Sequence, residues 1–222
     1  MKTIGLLGGM SWESTELYYR LINEETKRLL GGLHSAPIVM ISVDFHQIER
    51  LQARDDWDES ARVLSEFARR IETAGAELLL MCTNTMHKVA DQVAASIGIP
   101  LLHIADATAT HVKASGVRTV GLLGTRFTME QSFYTGRLEQ SGLRVLVPDE
   151  EDRALVHRVI YEELCLGQVN PGSRQEFLRI IDALHESGAE AVIEGCTEIG
   201  LLVGQEHTAV PLFDTTRVHA SQ

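Results

Sequence analysis

Four signatures that would place a sequence quickly are missing from this one. No apolar run is long enough for a membrane span: the stretch after Met1-Lys2-Thr3 breaks at Gly8-Gly9, too short for a secretory or spanning segment. Cysteine is scarce. The three present, Cys82, Cys165 and Cys196, are odd in number, far apart and without CxxC spacing, which excludes a disulfide framework and a zinc site. Positive charge is short as well: 20 Lys and Arg against 31 Asp and Glu leave a net charge of −11. The acids are spread along the chain, so neither nucleic acid nor an anionic membrane is expected as a partner. Finally, Gly5-x-x-Gly8-Gly9 is not the GxGxxG of a dinucleotide site. A cytoplasmic, reduced protein without metal is expected.

What the sequence does contain is a repeat of itself. Thr3-Ile4-Gly5-Leu6-Leu7-Gly8 returns as Thr119-Val120-Gly121-Leu122-Leu123-Gly124, an offset of 116. Gly75-Ala76-Glu77 and the apolar triplet after it return at Gly188-Ala189-Glu190, an offset of 113. Ile99-Pro100-Leu101-Leu102 returns as Val210-Pro211-Leu212-Phe213, an offset of 111. Three matches in one order with a slowly drifting offset indicate two copies of one lobe.

Each lobe alternates short apolar runs with amphipathic stretches. Strands are expected at 4–7, 38–43, 78–81 and 101–104, and again at 120–123, 145–148, 191–193 and 211–213. Helices are expected at 13–30, 57–74 and 86–96, then 129–140, 153–166 and 173–187. This alternation predicts an α/β fold of two pseudo-symmetric lobes, each a parallel sheet flanked by helices, with right-handed crossovers and an active site in the cleft between them. The expected domains are 1–115 and 116–209, with a possible return of 210–222 to the first; the boundary lies near Gly116, and no segment is of low complexity.

Ligands of open parallel sheets bind beyond the carboxyl ends of the strands, which directs attention to the residues that follow each one. Cys196-Thr197 follows a buried strand and precedes a helix start at Glu198. A helix N-terminus would lower the thiol's pKa and seat an anion; a small buried hydrophobe is the plainer alternative. By the 113-residue offset Gly195 pairs with Cys82 and Cys196 with Thr83, so a hydroxyl stands where symmetry would place a second thiol. Thr83 also suits a helix N-cap. Asn84 and Thr85 could hold a carboxylate or ammonium. Gly8-Gly9-Met10-Ser11 reads as a turn presenting backbone N–H groups to an anion, or as turn chemistry alone. Thr125 and Thr128 are its second-lobe counterparts. His87, one helical turn after Thr83, is either a tuning group or a surface histidine. Lys88 alone does not make a pyridoxal phosphate site, and Cys165 reads as core inside the helix 153–166.

Taken together, Gly8-Gly9-Met10-Ser11, Asn84-Thr85-Met86-His87 and Gly195-Cys196-Thr197-Glu198-Ile199-Gly200-Leu201-Leu202 resemble the aspartate/glutamate racemase family, itself similar to glutamate and hydantoin racemases. The resemblance spans essentially the whole chain, and the second-half Cys-Thr motif is its most specific part. It implies a PLP-independent isomerase with no cofactor, often a homodimer, in which two cysteines serve opposite faces of the substrate α-carbon. The family's first motif is usually Cys-Asn-Thr. Here Thr83 stands in the cysteine's place and Cys82 lies one position early, in agreement with the internal repeat. A closing helix is also expected beyond Asp214-Thr215-Thr216, so the chain is expected to be cut short at Gln222.

The catalytic pair is therefore expected to be Thr83 and Cys196, with Cys82 in reserve. Expected substrate contacts are Gly9, Met10, Ser11, Asn84, Thr85, Thr125, Thr128, Thr197 and Glu198, plus Gln52 from a loop beyond the second strand. By resemblance the second-half cysteine serves the L-enantiomer, so L-aspartate or L-glutamate should exchange faster than the D-form. Hydantoin racemisation, maleate isomerisation, malonate decarboxylation and non-catalytic binding of an acidic amino acid are the competing readings.

Overall fold

The computed structural model describes every residue, 1–222. The chain forms two compact units, Met1–Ile104 with Ala220–Gln222, and Ala105–His219. Of the C-terminal segment, then, only the last three residues lie with the first unit.

In the first unit β1 (Ile4–Gly8) leads into α1 (Trp12–Leu30), β2 (Ile38–Ser42), α2 (Phe45–Ala53) and α3 (Trp57–Thr73). β3 (Leu78–Met81) is followed by a 3-10 turn (Thr85–Val89), α4 (Ala90–Ala95) and the two-residue β4 (Leu101–Leu102). The sheet is parallel in the order β2-β1-β3-β4. Alternate residues of β1 serve opposite faces, as the period of a strand requires. Leu6 packs with Tyr18 and Ile22 of α1, while Leu7 packs with Ile48, Leu64, Ile71 and Val93 from α2, α3 and α4. Burial on both faces is why these strands read as continuous apolar runs.

The second unit opens with α5 (Ile104–Ala114), which begins one residue before the unit boundary, and repeats the plan. β5 (Thr119–Gly124), α6 (Arg126–Glu130), α7 (Ser132–Gln140) and β6 (Arg144–Leu146) precede α8 (Glu150–Glu162) and α9 (Pro171–Glu186). β7 (Ala191–Gly195), α10 (Ile199–Leu202) and β8 (Leu212–Asp214) follow, and α11 (Thr215–Ser221) runs two residues past the unit's end at His219. Its parallel sheet runs β6-β5-β7-β8, the same order as the first. The repeat extends to packing. A Cβ on Gly5 would lie 2.5 Å from Ile71 of α3, and one on Gly121 would lie 2.9 Å from Leu184 of α9. Both glycines let the helix before the third strand approach its sheet.

Several expectations from periodicity need correction. The segment carrying Gln52 is not a loop but the helix α2, capped by Asp44, which accepts from His46 N–H at 3.1 Å. Residues 101–104 give only a two-residue strand, because α5 takes over at Ile104. Residues 129–140 are two helices broken at Gln131, whose backbone is extended (ψ 143). Cys165 lies outside any α-helix: α8 ends at Glu162 and a 3-10 turn, Leu164–Leu166, follows before Gly167 turns left-handed at φ 70.

Candidate active site

The first strand-end turn of the first unit is built around Gly9. Its φ is 88, and a Cβ there would fall 2.3 Å from the Val43 carbonyl, so the position admits only glycine without strain. Its N–H donates to Thr15 Oγ1 at 2.8 Å, and Thr15 Oγ1 donates to the Ser11 carbonyl at 2.9 Å. The Gly9 N–H expected to face an anion is thus already bound within the turn. Met10 is buried in the apolar cluster with Leu7 and Ile48. Ser11 caps α1, accepting from Ser14 N–H, and its hydroxyl lies 3.2 Å from that of Ser14.

The second unit builds the same cap from threonines. Thr125 caps α6, accepting from Thr128 N–H, and the two hydroxyls are 3.2 Å apart. Ser11 and Ser14 are therefore the structural counterparts of Thr125 and Thr128. Ser14 and Thr15, both buried, were missed in the sequence because the match there is one of hydrogen-bond pattern, not of residue identity.

Strand register aligns the two central turns. Leu7 of β1 pairs with Met81 of β3, and Leu123 of β5 pairs with Glu194 of β7. Met81 and Glu194 are equivalent, so Cys82 matches Gly195 and Thr83 matches Cys196, as the 113-residue offset requires. Cys82 sits in an apolar cluster with Leu6, Tyr18, Ile22 and Leu80, and burial pushes its thiol well above the ordinary range. Thr83, Asn84 and Thr85 are all buried at the end of β3. His87 fastens this turn. Its Nδ1 lies 2.7 Å from the Thr83 carbonyl, and its Nε2 lies 3.2 Å from Ile104 N–H. A carbonyl can only accept and an amide N–H can only donate, so His87 is neutral with its proton on Nδ1. It stacks edge-on against His103, ring centroids 4.4 Å apart. Gln52 is buried on α2 and its amide donates to Met86 Sδ at 2.9 Å. Lys88 lies over the Trp57 ring at 3.8 Å.

At the end of β7 the Cys196 thiol donates to Glu198 Oε2 at 2.8 Å, and Thr197 Oγ1 donates to the same oxygen at 3.0 Å. The expectation that a helix start would lower this thiol's pKa is overturned. Burial first, then the Glu198 carboxylate and the nearby Cys165 thiol, push it well above its ordinary value. The helix that follows is four residues long, too short to supply much of a dipole. Cys196 is accordingly a protonated thiol hydrogen-bonded to a carboxylate, which can receive the proton when the thiolate forms.

Known proteins resemble this chain over nearly its whole length. The family model for Asp/Glu/hydantoin racemases matches residues 7–222. The chain belongs to that family. A Yersinia pestis crystal structure described as a candidate Asp/Glu racemase is 57% identical, with a TM-score of 0.91, covering 100% of this chain and 96% of that one. An aspartate racemase homologue from Pyrococcus horikoshii is 36% identical with a TM-score of 0.82, covering 99% and 96%. The broad specificity amino-acid racemase of Bacillus subtilis is 22% identical over 221 residues, 96% of this chain and 92% of that protein. No helix of this family member is long and apolar enough to cross a membrane.

Proposed function

We propose that the protein is an amino-acid racemase that moves the α-proton of aspartate or glutamate without a prosthetic group, acting faster on the L-enantiomer. The observation that carries this reading is the Cys196 thiol held 2.8 Å from the Glu198 carboxylate at a strand's carboxyl end. Glu198 takes the thiol proton as substrate binds, so its role is proton acceptor as much as substrate contact. The Sγ thiolate then takes the α-proton of the L-amino acid, and the C–H electron pair passes into the substrate carboxylate. Fixed donors best suited to that growing charge are the hydroxyls of Ser11, Thr125 and Thr128, with Asn84 and Thr85; Thr197, whose hydroxyl proton goes to Glu198, is left to accept from the substrate ammonium. Thr83 delivers a proton to the other face and recovers one from solvent. A hydroxyl gives up its proton far less readily than a thiol, so passage through Thr83 is slow in both directions, whereas Cys196 exchanges the α-proton of the L-form without it. The net charge of −11 means that an anionic substrate is attracted by these local donors against the overall field. A reduced cytoplasmic setting suits the three free cysteines.

The raised proton affinity of Cys196 favours one competing reading, a non-catalytic binder of acidic amino acids. Proton NMR in deuterated water, with both enantiomers of aspartate and glutamate, separates the two. Loss of the α-proton signal faster from an L-enantiomer than from its D-form is expected. Binding without exchange would make the protein a receptor, and equal rates from both enantiomers would remove Thr83 in favour of Cys82.

A further inference from the structure

The two central turns of the repeat are held differently, and the difference lies in His87. Thr83 has both of its backbone groups engaged: its N–H donates to the Met81 carbonyl at 2.9 Å, and its carbonyl faces His87 Nδ1 at 2.7 Å. The second bond arises from the 3-10 geometry of the turn. An α-helix would give the Thr83 carbonyl to the N–H of His87, four residues on. Here that N–H donates instead to the Asn84 carbonyl at 3.1 Å, and the ring of the same residue takes the Thr83 carbonyl. On its other side Nε2 accepts from Ile104 N–H, the first of α5 and one of the donors that a helix start leaves over. His103, edge-on at 4.4 Å, confines the ring's rotation. Thr83, His87 and His103 are all buried.

The second unit has no such brace. The 113-residue offset places Gly200 opposite His87, and the Cys196 carbonyl accepts from the backbone N–H of Ile199 at 3.1 Å. The ring therefore serves the hydroxyl side of the repeat alone. Proton delivery by a hydroxyl is the harder of the two transfers, and such transfers depend closely on placement. With both backbone groups of Thr83 fixed, its Cα–Cβ bond points one way, and a β-branched side chain has few rotamers left. We infer that His87 is a positioning residue for Thr83: by holding the Thr83 carbonyl, its ring aims Oγ1 for proton delivery to the second face of the substrate. The inference rests on the reading of Thr83 as that donor.

L-Aspartate and L-glutamate in deuterated water give two readouts from one sample. Loss of the α-proton signal reports Cys196, and appearance of the D-enantiomer on a chiral column reports passage through Thr83. Two substitutions divide the ring's bonds between them. His87→Asn keeps a donor near the position of Nδ1, for the Thr83 carbonyl, and loses the reach to Ile104. His87→Gln keeps an acceptor near the position of Nε2, for Ile104, and gives up the bond to Thr83. In His87→Asn both readouts should stay within about threefold of the unaltered protein. In His87→Gln formation of the D-enantiomer should fall at least about tenfold, while α-proton loss from the L-form stays within about threefold. Equal losses in both readouts, or better preservation by Gln than by Asn, would make His87 a structural cap of α5 and overturn the inference. Should one variant not fold, the other decides: D-enantiomer formation lost in His87→Asn, or kept in His87→Gln, is fatal to it. An unaltered protein that removes no α-proton overturns the proposed function itself, and the inference with it.

Discussion

Cys196 holds its proton because burial and a carboxylate 2.8 Å away both disfavour a second negative charge. Two consequences follow at this one residue. Cys196→Ala should abolish α-proton exchange, a loss of at least about a thousandfold, read by NMR in deuterated water. Glu198→Gln should slow exchange by about a hundredfold while making the thiol easier to ionise, because the carboxylate is one of the causes that raise it. The pH profile of Cys196 alkylation, measured with Cys165→Ser to silence the half-buried thiol, should move to lower pH. A profile that stays in place would show that Glu198 does not hold the thiol proton. Across the repeat, Thr83→Cys should speed exchange of the D-enantiomer more than that of the L-form, measured on both. At this scale much was legible, since Cys196 and its counterpart Thr83 emerge from an offset between two stretches of sequence. The bond from Cys196 to Glu198, and the caps made by Ser14 and Thr15, are matters of side-chain direction, which residue identity leaves open.

Elements show where periodicity succeeds and where it stops. Strands such as β1 and β7 read directly because they are buried on both faces, and α1, α3 and α9 because one stripe meets a sheet. α2 escaped notice because only Ile48 and Gln52 of its nine residues are buried, too sparse a pattern to stand out. The long helix expected over 153–166 stops at Glu162, since Gly167 in a left-handed turn redirects the chain. The β1–α1 connection depends most on a single residue. Gly9→Ala must place a methyl group against the Val43 carbonyl at a positive φ, and should cost about 3 kcal/mol in urea unfolding. An unchanged midpoint would mean that the turn relaxes freely.

At the scale of the whole molecule, stability should carry a signature of Glu194. This carboxyl is buried on β7 beside Asp214 of β8, its register partner. Burial, with the Asp214 charge adding to it, lifts its pKa to about 8 from an ordinary 4.5; Arg217 opposes the shift and Glu206 adds to it. A carboxyl with a raised folded-state pKa favours folding while it is protonated. Its contribution is full below about pH 4.5 and is lost progressively up to about pH 8. Denaturant unfolding should therefore show stability falling by a few kcal/mol over that window, and Glu194→Gln should flatten the fall. The same slope in both proteins would mean that another group is responsible. By itself the sequence determined the two-lobed α/β plan, the family and the pairing of Thr83 with Cys196. These rest on period, repeat and offset, all of which are linear properties of the chain. Only the tertiary structure decided that Cys196 is a protonated thiol bound to Glu198, that the Gly9 N–H is already taken by Thr15, and that Glu194 keeps its proton. Each of those depends on burial and on which polar group stands within three ångströms, and the folded chain sets both.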